Sequence, residues 1–461
     1  MKFRIFSGLL AMAAAQPGFA TGLTEAYEKA LSYDSDIASA RATADAQRAV
    51  TDVRRSGLLP VLDLIGSAGY TDTESPRTDD SFTRLRYGVE LTQPLFRADV
   101  WFDYEASQFD SKSAFADYNL AQQELILDVA TEYFGVLRAK DALTTARATE
   151  LAIKRQYEQT QERYDVGLIA ITEVLEARAS FDDSTSQRIG AENDLDIARE
   201  RLGRLTGEYA EDLNNLRQDF PLTRPQPENP DAWAQTALDQ NWQIQSSIFQ
   251  VDSSKLTLKS AKADHYPTVD LSASYIESDV SGLETGGFAT IGSADGITTD
   301  AVIQLSVRMP LYAGGGIQAG VRQQRSLVDV AEESLNTVRR DVRVNTRSLF
   351  RTVNTNIESA SALEQTIVSR RSALDATRAG YDVGTRNIVE VLDAERNYYI
   401  ALRDFANARY DYVVNTLSLK QAAGTLSPQD LVDINRWLSA TAPGIEALAT
   451  DTDALDESLD D

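Results

Sequence analysis

Four short stretches of the chain alternate apolar and polar residues with a period of two. The clearest are 84–91, 269–275 and 302–309, and the stretch 61–70 alternates more weakly. Such alternation predicts strands with one apolar and one polar face, as needed between lipid and water. A soluble β-sandwich alternates in the same way, so the pattern alone leaves both environments open. The intervening stretch 277–300 is rich in Gly, Ser and Thr and predicts a loop.

The rest of the chain has the pattern of helices, two of them very long. The stretches 23–56 and 232–263 predict shorter helices, whereas 98–163 and 316–380 contain no proline. At 1.5 Å per residue, each proline-free stretch predicts a helix on the order of 100 Å long.

Apolar residues recur at every seventh position along these predicted helices, which indicates coiled-coil-like packing. In the first half Arg188 interrupts the series. The recurring positions are Val174, Phe181, Leu195 and Leu202, then Val321, Val328, Leu335, Val342 and Leu349, then Val391, Tyr398, Phe405, Tyr412 and Leu419.

The chain is an internal repeat of two similar halves. Tyr-Asp-Val-Gly at 164–167 recurs at 381–384, and Pro94-Leu-Phe96 recurs as Pro310-Leu-Tyr312. We expect a first repeat at 21–218, a proline-rich linker at 219–231, a second repeat at 232–426 and a C-terminal segment at 427–461. Each Tyr-Asp-Val-Gly predicts the turn of a helical hairpin, with its glycine suited to a left-handed helix end. Pro94 and Pro310 are expected to end strands.

The two ends of the chain carry different signals. Lys2 and Arg4, an apolar stretch at 5–15 and the small residues Gly18 and Ala20 predict a signal peptide at 1–20, cleaved after Ala20. A transmembrane anchor is the weaker reading, because the apolar run is shorter than the ~20 residues that a bilayer requires. The tail 451–461 has six acidic residues and no basic one, which predicts disorder.

Composition excludes several classes of function. The 461 residues include 45 basic and 70 acidic side chains, for a net charge of −25, one His and no Cys. Nucleic-acid binding needs basic patches, and without Cys there is no thiol catalysis, Fe–S cluster or thiolate zinc site. A single His, His265, argues against a multi-His metal site. We therefore expect no metal, no cofactor, no nucleic-acid partner and no enzymatic activity.

Four strands cannot close a membrane barrel, and unpaired strand edges are not tolerated in lipid. If the strands cross a membrane, several chains must pool them: two chains give eight and three give twelve. Long helical hairpins joined to that lumen would extend it into a tunnel, which predicts a conduit. The main alternative is an exported soluble adaptor or structural protein built from coiled-coil hairpins. An enzyme on an exported scaffold is less favoured, because no nucleophile motif accompanies the acidic pairs.

Four sequence motifs resemble those of a known protein family. They lie at 164–174, 381–393, 406–410 and 421–426, and with them the mature chain resembles the TolC family of outer-membrane efflux and secretion channels. The resemblance implies a mainly α fold with a transmembrane β element: a homotrimer with a 12-stranded β-barrel and a twelve-helix periplasmic tunnel. It also implies a passive exit duct that docks onto periplasmic adaptor proteins and inner-membrane pumps in a Gram-negative bacterium. The lipidated N-terminal Cys of one family branch is absent.

The resemblance also assigns residues to an iris-like periplasmic gate. The entrance acids, Glu390 and Asp393, would form rings of carboxylates that attract cations, although without it they would be solvated surface acids. The latch residues Tyr381, Arg386, Thr172 and Glu173 would hold the entrance closed through bonds between helices. At 173 and 390 the family often has Asp instead of Glu.

The resemblance assigns roles to two further groups of residues, and each role has a purely structural alternative. The tip residues would contact the adaptor, or they only build the turns. Phe96 and Tyr312 would lie at the membrane interface, or they are ordinary buried aromatics. The tip residues are Val166, Gly167, Leu168, Val383, Gly384 and Thr385.

Overall fold

The computed structural model describes residues 21–75, 78–209, 212–282 and 296–445. The predicted signal peptide and the acidic tail 451–461 lie outside these described residues. The helices are α1 (Leu23–Tyr33), α2 (Ser35–Ser56), α3 (Ala98–Asp165), α4 (Ile171–Thr206), α5 (Pro230–Gln240), α6 (Trp242–Ala263), α7 (Gly316–Asp382), α8 (Ile388–Ala422) and α9 (Pro428–Asn435). The strands are β1 (Val61–Ser75), β2 (Thr78–Phe96), β3 (Asn215–Leu216), β4 (Thr268–Ser281), β5 (Gly296–Arg308) and β6 (Leu438–Ser439).

The chain divides into two compact units, and each contains parts of both sequence repeats. One unit comprises 39–119 and 242–340, and the other comprises 1–38, 120–241 and 341–461. No helix in the described part of the chain is both long and apolar enough to cross a membrane.

The first unit is organised around an antiparallel sheet in the order β1-β2-β4-β5. The period-two pattern therefore predicted the strands correctly, although β2 extends beyond 84–91 at both ends. The predicted loop 277–300 was wrong at its margins, where β4 reaches Ser281 and β5 begins at Gly296. Main-chain pairing to a neighbouring strand needs no apolar side chain, so polar Ser and Thr continue the ladder.

Pro94 does not end a strand as predicted. It lies within β2 opposite Asp270, and the register shifts between Pro94 and Phe96. Proline lacks the N–H that a regular ladder requires, so the irregularity accommodates it without ending the pairing. Directly after β2, Arg97 donates two hydrogen bonds to Asp270, at 3.0 and 2.8 Å, and so ties the start of α3 to β4.

Small polar residues let α6 pack closely in this unit. Ser246, Ser253 and Ser260 are buried at seven-residue intervals along α6. The hydroxyls of Ser113 and Ser246 lie 2.9 Å apart, and Ser260 donates to the Asp99 carbonyl at 3.1 Å. These bonds satisfy polar groups that the close helix contact removes from water.

The second unit contains most of the two helical hairpins, α3–α4 and α7–α8, including both tips. The hairpins confirm the predicted long helices. The core of this unit includes Tyr133 and Phe134 of α3, and Phe134 packs against Tyr410 of α8 with ring centroids 5.5 Å apart. Arg138 pairs with Asp411 at 2.6 Å across the same two helices. The short strands β3 and β6 pair beside them.

The stretches 23–56 and 232–263 are helical as predicted, but each forms two helices. Each is broken at one residue, Asp34 between α1 and α2 and Asn241 between α5 and α6, with ψ of 129° and 127°. The Asp34 carboxylate accepts bonds from the N–H groups of Asp36 and Ile37, so it caps the next helix. Asp and Asn compete with helix hydrogen bonding in this way.

The seven-residue seam is buried as predicted, but along α7 it changes phase. Val328, Leu335 and Val342 are buried, whereas Val321 and Leu349 are only partly so. A second series of buried positions, also seven apart, begins at Thr346 and comprises Thr346, Val353, Ala360, Ile367 and Leu374. A shift of four residues between two such series changes how tightly the helices wind around each other.

Arg188, which interrupts the apolar series in α4, forms ion pairs with two carboxylates. Its guanidinium pairs with Glu150 of α3 at 2.8 Å and with Glu192 of α4 at 3.0 Å.

A buried carboxyl lies in the core of the hairpin unit. The Tyr410 hydroxyl donates to Asp141 Oδ2 at 2.9 Å, and both side chains are buried. Burial raises the pKa of Asp141 to about 6, and the hydrogen bond from Tyr410 opposes that rise only in part. The protonated form therefore stabilises the fold below pH about 4, and this contribution is lost as the pH rises through about 6.

We predict that Asp141→Asn flattens the pH dependence of stability. Between pH 4 and pH 7 the wild-type protein should lose about 2 kcal/mol that the variant does not lose. Unfolding midpoints in guanidinium, measured in detergent across this range, check it. Asp183→Asn, at an exposed position of α4, is the control, and equal slopes for Asp141→Asn and wild type would contradict the assignment.

Candidate functional site

The two hairpin tips repeat the same turn. Gly167 and Gly384 have φ of 78° and 77°, as the sequence predicted for left-handed glycines. The Gly167 N–H donates to the Tyr164 carbonyl at 2.8 Å, and the Gly384 N–H donates to the Tyr381 carbonyl at 2.9 Å. The repeated hydrogen bonds show that the duplicated Tyr-Asp-Val-Gly sequence specifies duplicated geometry.

Apolar side chains project from these tips into solvent. Val166, Leu168 and Val383 are 70 %, 69 % and 74 % exposed. Thr385 is also exposed, and its hydroxyl donates to the Gly380 carbonyl at 2.9 Å. Exposed apolar residues grouped at a tip are typical of surfaces that bind a partner.

The first turn of α8 holds Glu390 in a local network. Asn387 is the N-cap, and its side chain accepts from the Glu390 N–H at 3.0 Å. In return the Glu390 carboxylate accepts from Asn387 at 3.0 Å and from Arg386 at 2.5 Å. These bonds fix the carboxylate against the start of its own helix.

Asp393 lies one turn further along α8 and has a different arginine partner. Its carboxylate is 3.1 Å from Arg396. Asp393 and Arg396 border a groove of about 650 Å³ between α8 and the hairpin α3–α4. The groove is lined mostly by polar side chains, among them Thr145, Thr149, Gln156, Asp183, Gln187 and Arg403. Glu390 and Asp393 are therefore near each other in sequence, but each pairs with a different arginine.

Among the described residues of one chain, no hydrogen bond or ion pair joins the four predicted latch residues to one another. Thr172 and Glu173 lie in the first turn of α4 and are exposed, and Tyr381 is 43 % exposed at the end of α7. Arg386 pairs with Glu390, four residues away on its own hairpin. Among the described residues of one chain, Arg386 and Glu173 form no ion pair.

The aromatic residues assigned to the membrane interface are not buried. Phe96, at the end of β2, is 46 % exposed, and Tyr312, after β5, is 85 % exposed. One chain alone therefore exposes both rings, and their position at the membrane interface stays a prediction. Among the described residues, no group of three or more acidic or His side chains could hold a metal.

Sequence reasoning missed two residues of this site, Asn387 and Arg396. Both signals were present: Asn precedes Glu390 by three residues, as an N-cap does, and Arg396 follows Asp393 by three, on the same helix face. The family resemblance assigns Arg386, the partner of Glu390, but it does not assign Arg396.

Comparison with known proteins decides the family. The model of the family described as outer membrane efflux protein matches residues 26–208 and 233–425. The chain belongs to this family. The match confirms the predicted outer-membrane location, and it disfavours the soluble-adaptor alternative.

Several curated members of this efflux family are similar to the chain along most of its length. Outer membrane protein TolC of Escherichia coli (strain K12) is 36 % identical over 427 residues, covering 91 % of the chain and 85 % of TolC. The TolC of Vibrio cholerae is 35 % identical, covering 91 % and 94 %. The alkaline protease secretion protein AprF of Pseudomonas aeruginosa is 28 % identical, covering 90 % and 87 %.

Solved channels share the fold. The Campylobacter jejuni CmeC outer membrane channel has a TM-score of 0.73 at 19 % identity, covering 96 % of the chain and 98 % of CmeC. The open state of the Neisseria gonorrhoeae MtrE outer membrane channel has a TM-score of 0.68 at 18 % identity, covering 88 % and 90 %. These likenesses confirm the predicted fold class, a mainly helical chain with a few strands.

The left-handed tip glycines make a testable prediction about stability. A Cβ at Gly167 or Gly384 would meet no atom within 4 Å, so the penalty for alanine comes from φ alone. We expect Gly167→Ala and Gly384→Ala each to destabilise its hairpin tip by about 1–2 kcal/mol. Hydrogen exchange of the tip amides measures this.

Gly190 is the matched control for the tip glycines. It lies inside helix α4 with open space around its Cβ position and an ordinary φ. Gly190→Ala should stabilise the helix by about 1 kcal/mol. Unchanged exchange of the tip amides in both Gly167→Ala and Gly384→Ala would show that the turns do not require glycine.

Proposed function

We propose that the protein is an outer-membrane exit duct of tripartite efflux and type I secretion systems. The observation that carries this proposal is the family match over both repeats, with TolC and AprF among the relatives. The duct passively conducts small molecules or proteins delivered by inner-membrane pumps. It catalyses no reaction, which accords with a family of channel proteins.

The functional form is a homotrimer. In one chain, β1 and β5 are the outer strands of the described sheet, so each leaves one side of its backbone unpaired. Backbone groups in lipid must find partners within protein. Joining β1 of one copy to β5 of the next satisfies both edges, and three copies supply twelve strands.

The repeat organisation follows from the same proposal. The signal peptide 1–20 directs export and is removed, and each repeat supplies two strands and one helical hairpin. The linker 219–231 joins the repeats, and Thr223 within it is held by the Tyr412 hydroxyl of α8, which donates to its carbonyl at 2.8 Å. The segment 427–461 follows the second repeat.

The tip residues contact a periplasmic adaptor protein, which couples the duct to the pump. The exposed apolar side chains of Val166, Leu168 and Val383 support this assignment. Gly167 and Gly384 allow the partner's backbone to approach closely. Thr385 completes the second tip.

The entrance lies near the start of α8. Copies of Glu390 and Asp393 around the trimer axis form the acidic constriction. Arg386, Tyr381, Thr172 and Glu173 form the latch. Within its own chain, Arg386 bonds Glu390. Its latch contact with Thr172 or Glu173 joins neighbouring helices of the assembly. An Arg–carboxylate bond is strong when made and is released when docking moves the hairpin.

Phe96 and Tyr312 place the ends of β2 and β5 at the boundary between lipid and periplasm. Their exposure in the single chain supports a role at a surface of the assembly. Aromatic rings of this kind favour the level of the lipid head groups.

Single-channel current in a planar bilayer tests the proposed duct. The purified wild-type protein should give small current steps, because the latch holds the entrance nearly closed. Arg386→Ser should enlarge the resting conductance severalfold, since it removes the latch guanidinium. Glu390→Gln combined with Asp393→Asn should remove block by a trivalent cation applied on the periplasmic side.

Arg163→Ser provides the control for charge loss at a tip, because Arg163 lies in the last turn of α3 on the other hairpin. It should leave the conductance unchanged. Absence of current from the wild type and from Arg386→Ser alike would contradict the duct. Equal conductance for Arg386→Ser and Arg163→Ser would contradict the latch.

A further inference from the structure

The charges at the start of α8 cancel within one chain. Two arginines flank two acids there: Arg386 lies 2.5 Å from Glu390, and Arg396 lies 3.1 Å from Asp393. Each acid of the entrance is therefore accompanied by a guanidinium on its own chain. A ring built from three such segments carries no net charge from these four positions.

Arg396 is held beside Asp393 by the shape of its surroundings. Asp393, Arg396, Ile400 and Arg403 all border the groove between α8 and α3–α4, and their spacing places them on one face of α8. The Arg396 side chain is 36 % exposed, less than the 59 % of Arg386 at the tip. The groove wall thus restricts Arg396 and keeps its charge close to the carboxylate.

The neighbouring charges already have other partners. Arg403 pairs with Asp404 at 2.7 Å, and Glu395 pairs with Arg378 of α7 at 3.8 Å. Within the described residues, Asp393 is thus the acid with which Arg396 forms an ion pair. The pairing with Asp393 therefore distinguishes Arg396 from Arg403, which pairs with Asp404.

We propose that Arg396 determines the ion specificity of the duct by neutralising Asp393. An ion in the lumen meets a paired carboxylate as a dipole, whose field falls off faster with distance than that of a charge. Arg396 therefore makes the entrance weakly cation-selective and only weakly sensitive to multivalent cations. This inference rests on the proposed function, because it requires Asp393 to face the conducting path.

The experiment compares ion selectivity among arginine variants. Reversal potential in a KCl gradient and the half-blocking concentration of hexaamminecobalt(III) are measured for the purified, full-length protein in planar bilayers. Arg396→Ser should shift the reversal potential toward the potassium potential. It should lower the half-blocking concentration on the order of tenfold, because three carboxylates become unpaired.

Three further variants separate this effect from a structural one. Arg403→Ser removes the same charge from the same groove, seven residues along α8, and should match wild type. Arg396→Lys keeps the charge and should restore wild-type selectivity, whereas adding Asp393→Asn to Arg396→Ser should abolish the gain. Arg396→Gln replaces Arg396→Ser if the serine variant fails to assemble.

Two results would overturn the inference while leaving the duct intact. One is equal selectivity and block in wild type, Arg396→Ser and Arg403→Ser. The other is strong cation selectivity in the wild type that Arg396→Ser does not increase. Absence of current from every variant, Arg386→Ser included, would instead refute the proposed duct, and this inference with it.

Discussion

Burial of one apolar seam along very long helices is the constraint on which the structure depends. Helices α3 and α7 have 68 and 67 residues, and packing, more than helix propensity, stabilises such helices. The seam supplies that packing between α7 and α8, where Ile367 and Leu374 meet Val391, Tyr398 and Leu402. Because the seam fixes each helix along its length, it also fixes the tip turns and the first residues of α8.

The regular parts of this fold could be predicted from sequence because they obey simple periods. Period two gave the strands of the large sheet, period seven gave the seams, and the duplicated Tyr-Asp-Val-Gly gave both turns. The breaks at Asp34 and Asn241 were missed because a single polar residue in an otherwise helical pattern is ordinary, and only its capping bonds reveal an extended backbone. The shift of phase along α7 was likewise hidden by overlapping apolar positions.

The candidate site was predictable in its acids but not in its electrostatics. Glu390 and Asp393 follow from resemblance to a family, whereas their effective charge depends on which arginines lie within about 3 Å, where Coulomb energies are large. Arg386 and Arg396 occupy those positions. Their spacings of four and three residues from the acids permit both pairs, but the sequence does not exclude other arginines of α7 and α8 as partners. A gate described only by its carboxylates would therefore be assigned too much negative charge.

We propose that other copies of the chain pair with the free strand edges of each copy in the outer membrane. The native mass of the protein extracted from that membrane tests the claim most directly. We expect that extraction requires detergent and that the particle has the mass of three mature chains. A single chain, or a protein that leaves the membrane fraction in plain buffer, would contradict it.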